Sequence, residues 1–180
     1  MLYPIKMIAL GPLLDEIAAQ YILDPQDVHG LNHWGRVLEN GLRLGEAEGG
    51  DITVIRLFAI FHDACRHNQS RDPGHGARGA ALAERLLGDL SLVTKKQLDL
   101  LTLACLEHTD GKTDAALTIQ ICWDSDRLDL ARVSIMPNPK HLCTKTARTE
   151  KLIQWANQRA TNNYSPPFVK SQWSPIFSGK

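Results

Sequence analysis

Residues 57–67 read LFAIFHDACRH, an apolar run that ends at the adjacent pair His62-Asp63. Apolar side chains recur at helical spacing from Val54 to Phe61, which predicts a helix with one face in the protein core. Imidazole and carboxylate groups bind divalent metal ions well, and polar groups at the end of a buried helix need partners. We therefore interpret His62 and Asp63 as candidate metal ligands.

The same helical spacing recurs along the rest of the chain and predicts an all-α, single-domain helical bundle. The alternation typical of a β-strand is not found at convincing length, and the sequence has no internal repeat. Cap and breaker residues predict helix starts near Leu13, Asn32, Asp51 or Thr53, Asp72, Thr94, Ala115 and Thr149.

We expect a helical core followed by a C-terminal extension. Residues 1–145 form the expected core. Residues 146–180 begin with a predicted helix at 149–158 and continue as a tail rich in Pro, Ser and aromatic residues. Such a composition favours irregular structure, and its aromatic side chains lead us to expect that the tail packs on the core.

The composition is that of an ordinary globular protein without a strong net charge. Lys and Arg total 20, and Asp and Glu also total 20, which argues against a nucleic-acid polymer as partner. The N-terminus is a poor signal peptide, and no apolar run approaches the length of a membrane span. The four cysteines form no C-x-x-C pair. We therefore expect a cytoplasmic protein with reduced thiols and no membrane partner.

Most of the histidines lie at or near predicted helix ends. A single imidazole in such a place can favour the helix dipole or lie in solvent, so none of them indicates a site alone. Together with Asp63 and Asp126 they form a set that a bundle can direct inward onto a divalent ion. The histidines in question are His29, His33, His62, His67, His75 and His108.

The order His33, His62-Asp63, Asp126 resembles the HD-domain metal-dependent phosphohydrolase superfamily, in the form of a small single-domain member. Three stretches carry the resemblance, and together they cover roughly residues 28–135. They are HGLNHWGRVLENGLRL around the first histidine, LFAIFHDACRH around the central pair, and CWDSDRLDLARV around the last aspartate.

The resemblance implies one divalent ion held by His33, His62, Asp63 and Asp126, with Mn, Ni, Zn, Fe, Co or Mg as the candidate metals. Such an ion lowers the pKa of its bound water from 15.7 toward ~7, which makes hydroxide available near neutral pH. Asp124 lies two residues before Asp126, and on a helix the two side chains point to different sides. We therefore prefer Asp126 to Asp124 as the last metal ligand. Asp129 either supports the site or is a solvated surface carboxylate.

Two further histidines, His75 and His108, fall between the His-Asp pair and Asp126. Some branches of the superfamily use two such residues to hold a second metal, and Asp63 would then bridge the two ions. Alternatively, His75 and His108 bind the leaving phosphate or protonate the leaving oxygen. Both alternatives stay open, and the expected catalytic residues are Asp63, Arg66, His75 and His108.

Arginines and glycines near the candidate ligands fit a phosphate-binding role. A guanidinium group can hold phosphate through two hydrogen bonds, and Arg66 is better placed for this than Arg36 or Arg78, which could equally form surface ion pairs. His29 could face the same site. The glycines either let backbone amides approach an anion or allow close helix packing; they are Gly74, Gly76 and Gly79.

These observations predict a metal-dependent phosphohydrolase that uses metal-activated water on a phosphate ester or anhydride of a small metabolite or nucleotide. The reaction would be that of a phosphomonoesterase, a phosphodiesterase or a pyrophosphohydrolase. The first alternative is an HD-fold di-iron oxygenase, for which the same six ligands suffice. The second is a non-catalytic module that binds a nucleotide or a metal. Whether the chain forms a homo-oligomer stays open.

Overall fold

The computed structural model describes residues 9–89 and 91–178, and within these residues it is helical with no β-strand. The predicted all-α class is therefore confirmed. The α-helices are α1 (Gly11–Gln20), α2 (Leu31–Glu48), α3 (Ile52–Phe61), α4 (His75–Leu87), α5 (Lys95–Glu107), α6 (Leu117–Arg127), α7 (Glu150–Thr161) and α8 (Ser174–Phe177). Two 3₁₀ helices (Leu130–Val133 and Pro139–His141) and a π-helix (Val169–Trp173) complete the set.

Helix α3 is the central element of the core. Its start is fixed by Asp51, whose side chain accepts hydrogen bonds from the backbone N–H groups of Thr53 and Val54, so Asp51 is the capping residue. Side chains from Val54 to Phe61 are almost wholly buried, apart from Arg56. Helices α2, α5 and α6 pack around α3, and the residues that directly follow it are therefore held inside the bundle.

Two glycines let α4 approach the rest of the bundle closely. A Cβ atom at Gly79 would lie 2.3 Å from the carbonyl oxygen of Phe61, and one at Gly76 would lie 2.4 Å from that of Cys105. No side chain fits at these distances without movement of the backbone. Gly76 and Gly79 therefore serve close packing, which brings the start of α4 next to the ends of α3 and α5.

The C-terminal tail is helical where the sequence predicted irregular structure. Pro166 and Pro167 precede the π-helix (Val169–Trp173), and proline is well tolerated at the start of a helix. Val169, Trp173 and Phe177 follow at helical spacing and are buried. The expectation of an irregular tail is wrong because these apolar side chains find a partner surface on the bundle, which local composition does not reveal.

The tail packs against the first two helices. The ring of Phe177 makes edge contacts with the rings of Tyr21 and Trp34, with centroid distances of 5.7 and 6.0 Å. Val169 lies against Gly35, and Trp34 is fully buried.

Among the described helices, none is both long and apolar enough to cross a membrane.

Candidate metal centre

Three helices direct the predicted ligands to one point inside the bundle. His33 lies in the first turn of α2, His62 and Asp63 directly follow α3, and Asp126 lies in the last turn of α6. His62, at the C-terminal cap of α3, points its Nδ1 atom at the carbonyl oxygen of Phe58. The pair thus occupies the end of the buried helix, as the sequence indicated.

The first ligand group consists of His33, His62, Asp63 and Asp126. His33 Nε2 lies 3.1 Å from His62 Nε2, 3.6 Å from Asp63 Oδ2 and 3.4 Å from Asp126 Oδ1. His62 Nε2 lies 3.8 and 3.9 Å from the same two carboxylate oxygens. Ligand atoms about 2.1 Å from a shared ion are at most roughly 4.2 Å apart. The atoms of His33, His62 and Asp63 fit one ion, and Asp126 Oδ1 lies within the same range of both imidazoles.

The second ligand group consists of His75, His108 and the other oxygen of Asp63. His75 Nε2 lies 2.9 Å from His108 Nε2 and 3.1 Å from Asp63 Oδ1. His108 Nε2 lies 3.9 Å from the same oxygen. Asp63 thus stands between the two groups, with Oδ2 facing the first and Oδ1 facing the second.

Hydrogen bonds fix the tautomer of each imidazole. Nδ1 of His33 faces a carboxylate oxygen of Asp129 at 2.7 Å, and Nδ1 of His108 faces the carbonyl oxygen of Cys105 at 2.7 Å. His62 and His75 likewise point Nδ1 at backbone carbonyls. Oxygens of these kinds only accept hydrogen bonds, so every Nδ1 carries the proton. The Nε2 atoms are then unprotonated and can ligate a metal; that of His75 also lies 3.3 Å from Arg66 Nη1.

This donor set fits a divalent cation. Nε2 lone pairs that face each other at about 3 Å repel unless a proton or a cation lies between them. Asp126 Oδ1 is also buried and has no hydrogen-bond partner in the described part of the chain. A cation bound by the four atoms of the first group would satisfy both the lone pairs and the carboxylate.

Burial and nearby charge shift the pKa values of these groups toward the metal-binding forms, except at His75, where burial is outweighed by the interactions with Asp63 and Asp72 together, which raise the pKa. Burial lowers the pKa of His62 to about 3 and also lowers that of His108, so both rings are neutral. Burial alone would raise the pKa of Asp63 and Asp126, but Arg132 beside Asp126, and the surrounding imidazoles when they are protonated, hold both values below the ordinary range. Neutral imidazoles and ionised carboxylates are the metal-binding forms.

The comparisons with known proteins give the fold. No protein-family profile and no curated protein matches the chain. A crystal structure of a "predicted HD superfamily hydrolase" from an uncultured Thermotogales bacterium superposes with a TM-score of 0.65 over 95% of both chains, at 24% sequence identity. The chain has the HD-domain fold. The resemblance seen in the sequence is therefore confirmed at the level of the fold.

We call the two ligand groups together the HD-domain cluster. Behind it, Asp129 and Arg36 form a buried ion pair. Arg36 donates from Nε to Asp129 Oδ1 at 2.7 Å and from Nη2 to Oδ2 at 3.0 Å, and both side chains are 1% exposed. Asp129 also accepts from His33 Nδ1. The alternative of a solvated Asp129 is wrong, and Arg36 is a structural residue rather than a free phosphate contact.

Asp124 and Arg78 have structural partners away from the ligand groups. The Asp124 carboxylate accepts hydrogen bonds from the backbone N–H groups of Cys143 and Thr144, at 2.7 and 2.8 Å, and so anchors the segment after the second 3₁₀ helix. Arg78 donates to Asp72 and to the carbonyl oxygen of Cys65. Neither side chain is directed at the HD-domain cluster.

Arg66 and His29 lie beside the cluster. Arg66 Nη1 is 3.4 Å from Asp63 Oδ1, while Nε and Nη2 donate to the carbonyl oxygens of Asn68 and Ser70. Arg66 therefore shapes the following loop and also places positive charge next to Asp63. His29 Nδ1 lies 2.8 Å from Gln69 Oε1, and burial lowers the pKa of His29 to about 4.

Arg132 also lies beside the cluster, although no pattern in the sequence indicates it. Its Nη2 atom lies 3.8 Å from Asp126 Oδ1, and its Nε and Nη1 atoms donate to the carbonyl oxygens of Val28 and Asp129. Arg132 belongs to the 3₁₀ helix after α6. A continuous α-helix would have turned it away from Asp126, so periodicity gave no signal for it.

Two cavities reach the HD-domain cluster from different sides. The His75 cavity has a volume of about 380 Å³ and is lined by Arg66, Ser70, Arg71, Asp72, Pro73, His75 and Thr109. The His108 cavity has a volume of about 440 Å³ and is lined by His108, Thr109, Gly111, Asp126, Arg127, Leu130, Ile135, Met136, Pro137, Asn138, His141 and Leu142. The first cavity has two arginines in its lining, and the second has a mixture of polar and apolar side chains.

Proposed function

We propose that this chain is a metal-dependent phosphohydrolase that cleaves a phosphate ester or anhydride of a small metabolite or nucleotide. The observation that carries the proposal is that Asp63 lies between two pairs of buried imidazoles, with the carboxylate of Asp126 beside the first pair. The similarity in fold to a crystal structure described as an HD superfamily hydrolase supports the hydrolase class.

The proposed ligands are His33, His62, Asp63 and Asp126 for one ion, with His75, His108 and Asp63 for a second. A nitrogen-rich donor set suits Mn, Fe, Co, Ni or Zn better than Mg, which prefers oxygen ligands. When bound, a divalent ion supplies Lewis acidity and lowers the pKa of a coordinated water toward ~7. The separate orientations of the two Asp63 oxygens favour the two-ion arrangement over a role for His75 and His108 in protonating the leaving group.

Two arginines favour an anionic substrate. Arg66 stands beside Asp63 on the side of the His75 cavity, and Arg132 stands beside Asp126. Guanidinium groups in these positions would neutralise the phosphoryl oxygens as charge develops on them. The di-iron oxygenase alternative uses the same six ligands but gives no reason for this positive charge.

The proposal is tested by elemental analysis and substrate turnover on one preparation. Protein reconstituted separately with Mn²⁺, Fe²⁺, Co²⁺, Ni²⁺ and Zn²⁺ is expected to retain one or two ions per chain and to release phosphate or pyrophosphate from a panel of phosphomonoesters, phosphodiesters and nucleotides. A chelator-treated sample is the control. Two irons per chain with oxygen consumption and no phosphate release would favour the oxygenase. Ions without turnover would favour the non-catalytic module.

A second prediction concerns the role of Arg132 in phosphate binding. Arg132→Ala should weaken the binding of inorganic phosphate and raise KM for the substrate roughly 10-fold or more, because a hydrogen bond to a charged group is worth about 1.5–3 kcal/mol. Calorimetry and steady-state kinetics measure the two effects, with Arg132→Lys expected to be intermediate. Arg85→Ala, on an exposed part of α4, is the matched control. Unchanged phosphate affinity in Arg132→Ala would remove Arg132 from the site.

A further inference from the structure

The three residues that directly follow His33 in α2 all contact the C-terminal tail. The ring of Trp34 meets the ring of Phe177, with centroids 6.0 Å apart. A Cβ atom at Gly35 would lie 2.4 Å from a side-chain carbon of the tail, so helix and tail are in close contact at this point. Arg36 is the third residue, and its side chain reaches both the tail and the metal centre.

Arg36 joins the tail to the metal centre through hydrogen bonds on two sides of its guanidinium group. On one side, Nη1 donates to the carbonyl oxygen of Tyr164 at 2.9 Å and to Asn163 Oδ1 at 3.2 Å. On the other side, Nε and Nη2 donate to Asp129, which also accepts from His33 Nδ1 at 2.7 Å. A guanidinium group is planar and rigid, so its two sides move together. The positions of the tail and of the His33 ring are therefore linked.

The backbone after α7 holds the two acceptors of Arg36 in place. Asn163 has a positive φ of 45°, a conformation that asparagine adopts more readily than most residues. Its N–H group donates to the carbonyl oxygen of Ala160, and that of Tyr164 donates to the carbonyl oxygen of Arg159. These bonds end α7 in a tight turn that directs both acceptors toward Arg36.

We propose that the C-terminal tail positions His33 through Arg36 and Asp129, so that docking of the tail and binding of a metal ion to the first ligand group stabilise each other. This inference rests on the proposed function in that it requires a metal ion at that group. His75 and His108 of the second group point Nδ1 at backbone carbonyls instead. The tail therefore acts mainly on the first group.

Hydrogen exchange of the wild-type chain with and without Mn²⁺, followed by mass spectrometry, tests the linkage without a substitution. Coupling between two binding events is reciprocal, so Mn²⁺ should slow exchange of the amides of residues 166–178 severalfold. Residues 98–102 are the reference for general stabilisation, because α5 packs on α3, α4 and α6. Equal slowing in both segments would overturn the proposal and leave the proposed function intact. Failure to bind Mn²⁺, Fe²⁺, Co²⁺, Ni²⁺ or Zn²⁺ would overturn both.

Releasing the tail by substitution tests the same linkage from the other side. Val169→Ser/Phe177→Ser removes two buried apolar contacts of the tail and leaves every candidate ligand in place. Calorimetry should show Mn²⁺ affinity about 10-fold lower, the lower end of the usual effect of groups that orient a metal-binding imidazole. Leu103→Ser, at an exposed leucine of α5, is the control and should keep the wild-type affinity. Circular dichroism checks that both variants are folded.

The same tail substitutions in an Arg36→Met/Asp129→Leu background distinguish positioning from general stability. This background lacks the hydrogen bonds between tail and His33, so releasing the tail should change Mn²⁺ affinity by less than about 2-fold, as for independent sites. An equal loss of affinity in both backgrounds would show that the tail acts through overall stability, and the proposal would be abandoned. The hydrogen-exchange comparison decides the matter if the combined variant does not fold.

Discussion

Asp63→Asn is expected to remove the bound metal and to lower kcat/KM by about 10³-fold or more, which corresponds to roughly 4 kcal/mol of transition-state stabilisation. Each carboxylate oxygen of Asp63 faces a different pair of imidazoles. An asparagine of the same shape keeps only one acceptor oxygen and presents an N–H₂ group to the other pair. Both ligand groups should therefore lose affinity from a single substitution.

Elemental analysis and kinetics on the same preparation measure this effect. Asp110→Asn, an exposed aspartate two residues beyond His108, is the matched control and should retain metal and activity. Circular dichroism should show the same helix content in both variants. Wild-type metal content in Asp63→Asn would show that the carboxylate charge is not required, and the proposed bridging role would be abandoned.

Asp129→Ala is expected to lower the free energy of unfolding by about 3–5 kcal/mol, the usual cost of leaving one partner of a buried ion pair unpaired. The Arg36 side chain is 1% exposed, and its guanidinium group donates hydrogen bonds to both oxygens of Asp129. Without Asp129 this charge stays in the core uncompensated. His33 also loses the acceptor for its Nδ1 proton, so metal affinity should fall as well.

Urea denaturation of metal-free protein isolates the effect on stability. The double variant Arg36→Met/Asp129→Leu should recover much of the loss, because replacing a buried pair by apolar side chains is often neutral. Asp99→Ala, an exposed aspartate on α5, should change stability by less than about 0.5 kcal/mol. A loss below about 1 kcal/mol in Asp129→Ala would mean that solvent reaches Arg36 and screens its charge.

The sequence was sufficient to predict the helices that carry the ligands, because each ligand follows a strong local signal. Asp51 and Thr94 cap α3 and α5 as predicted, and the apolar run before His62 is the buried core of α3. The order of the histidines and aspartates then gave the resemblance that the fold confirmed. The ligand assignments themselves stay predictions until a metal is measured.

What the sequence could not predict depends on contacts between distant segments. Arg132 reaches Asp126 because a 3₁₀ turn interrupts the helical period after α6. Asp129 is buried because Arg36 of α2 packs against it, and no local pattern pairs these two residues. The helical tail depends on a surface that α1 and α2 form together, which is why composition alone suggested irregular structure.

The contact of Phe177 with Tyr21 and Trp34 joins opposite ends of the described chain. Until α8 packs on the bundle, the aromatic side chains of Tyr21 and Trp34 lack this cover. Contacts between residues so far apart in sequence also form slowly, since the intervening chain must be ordered first. The helix that carries His33 therefore gains its aromatic cover only when distant parts of the chain have come together.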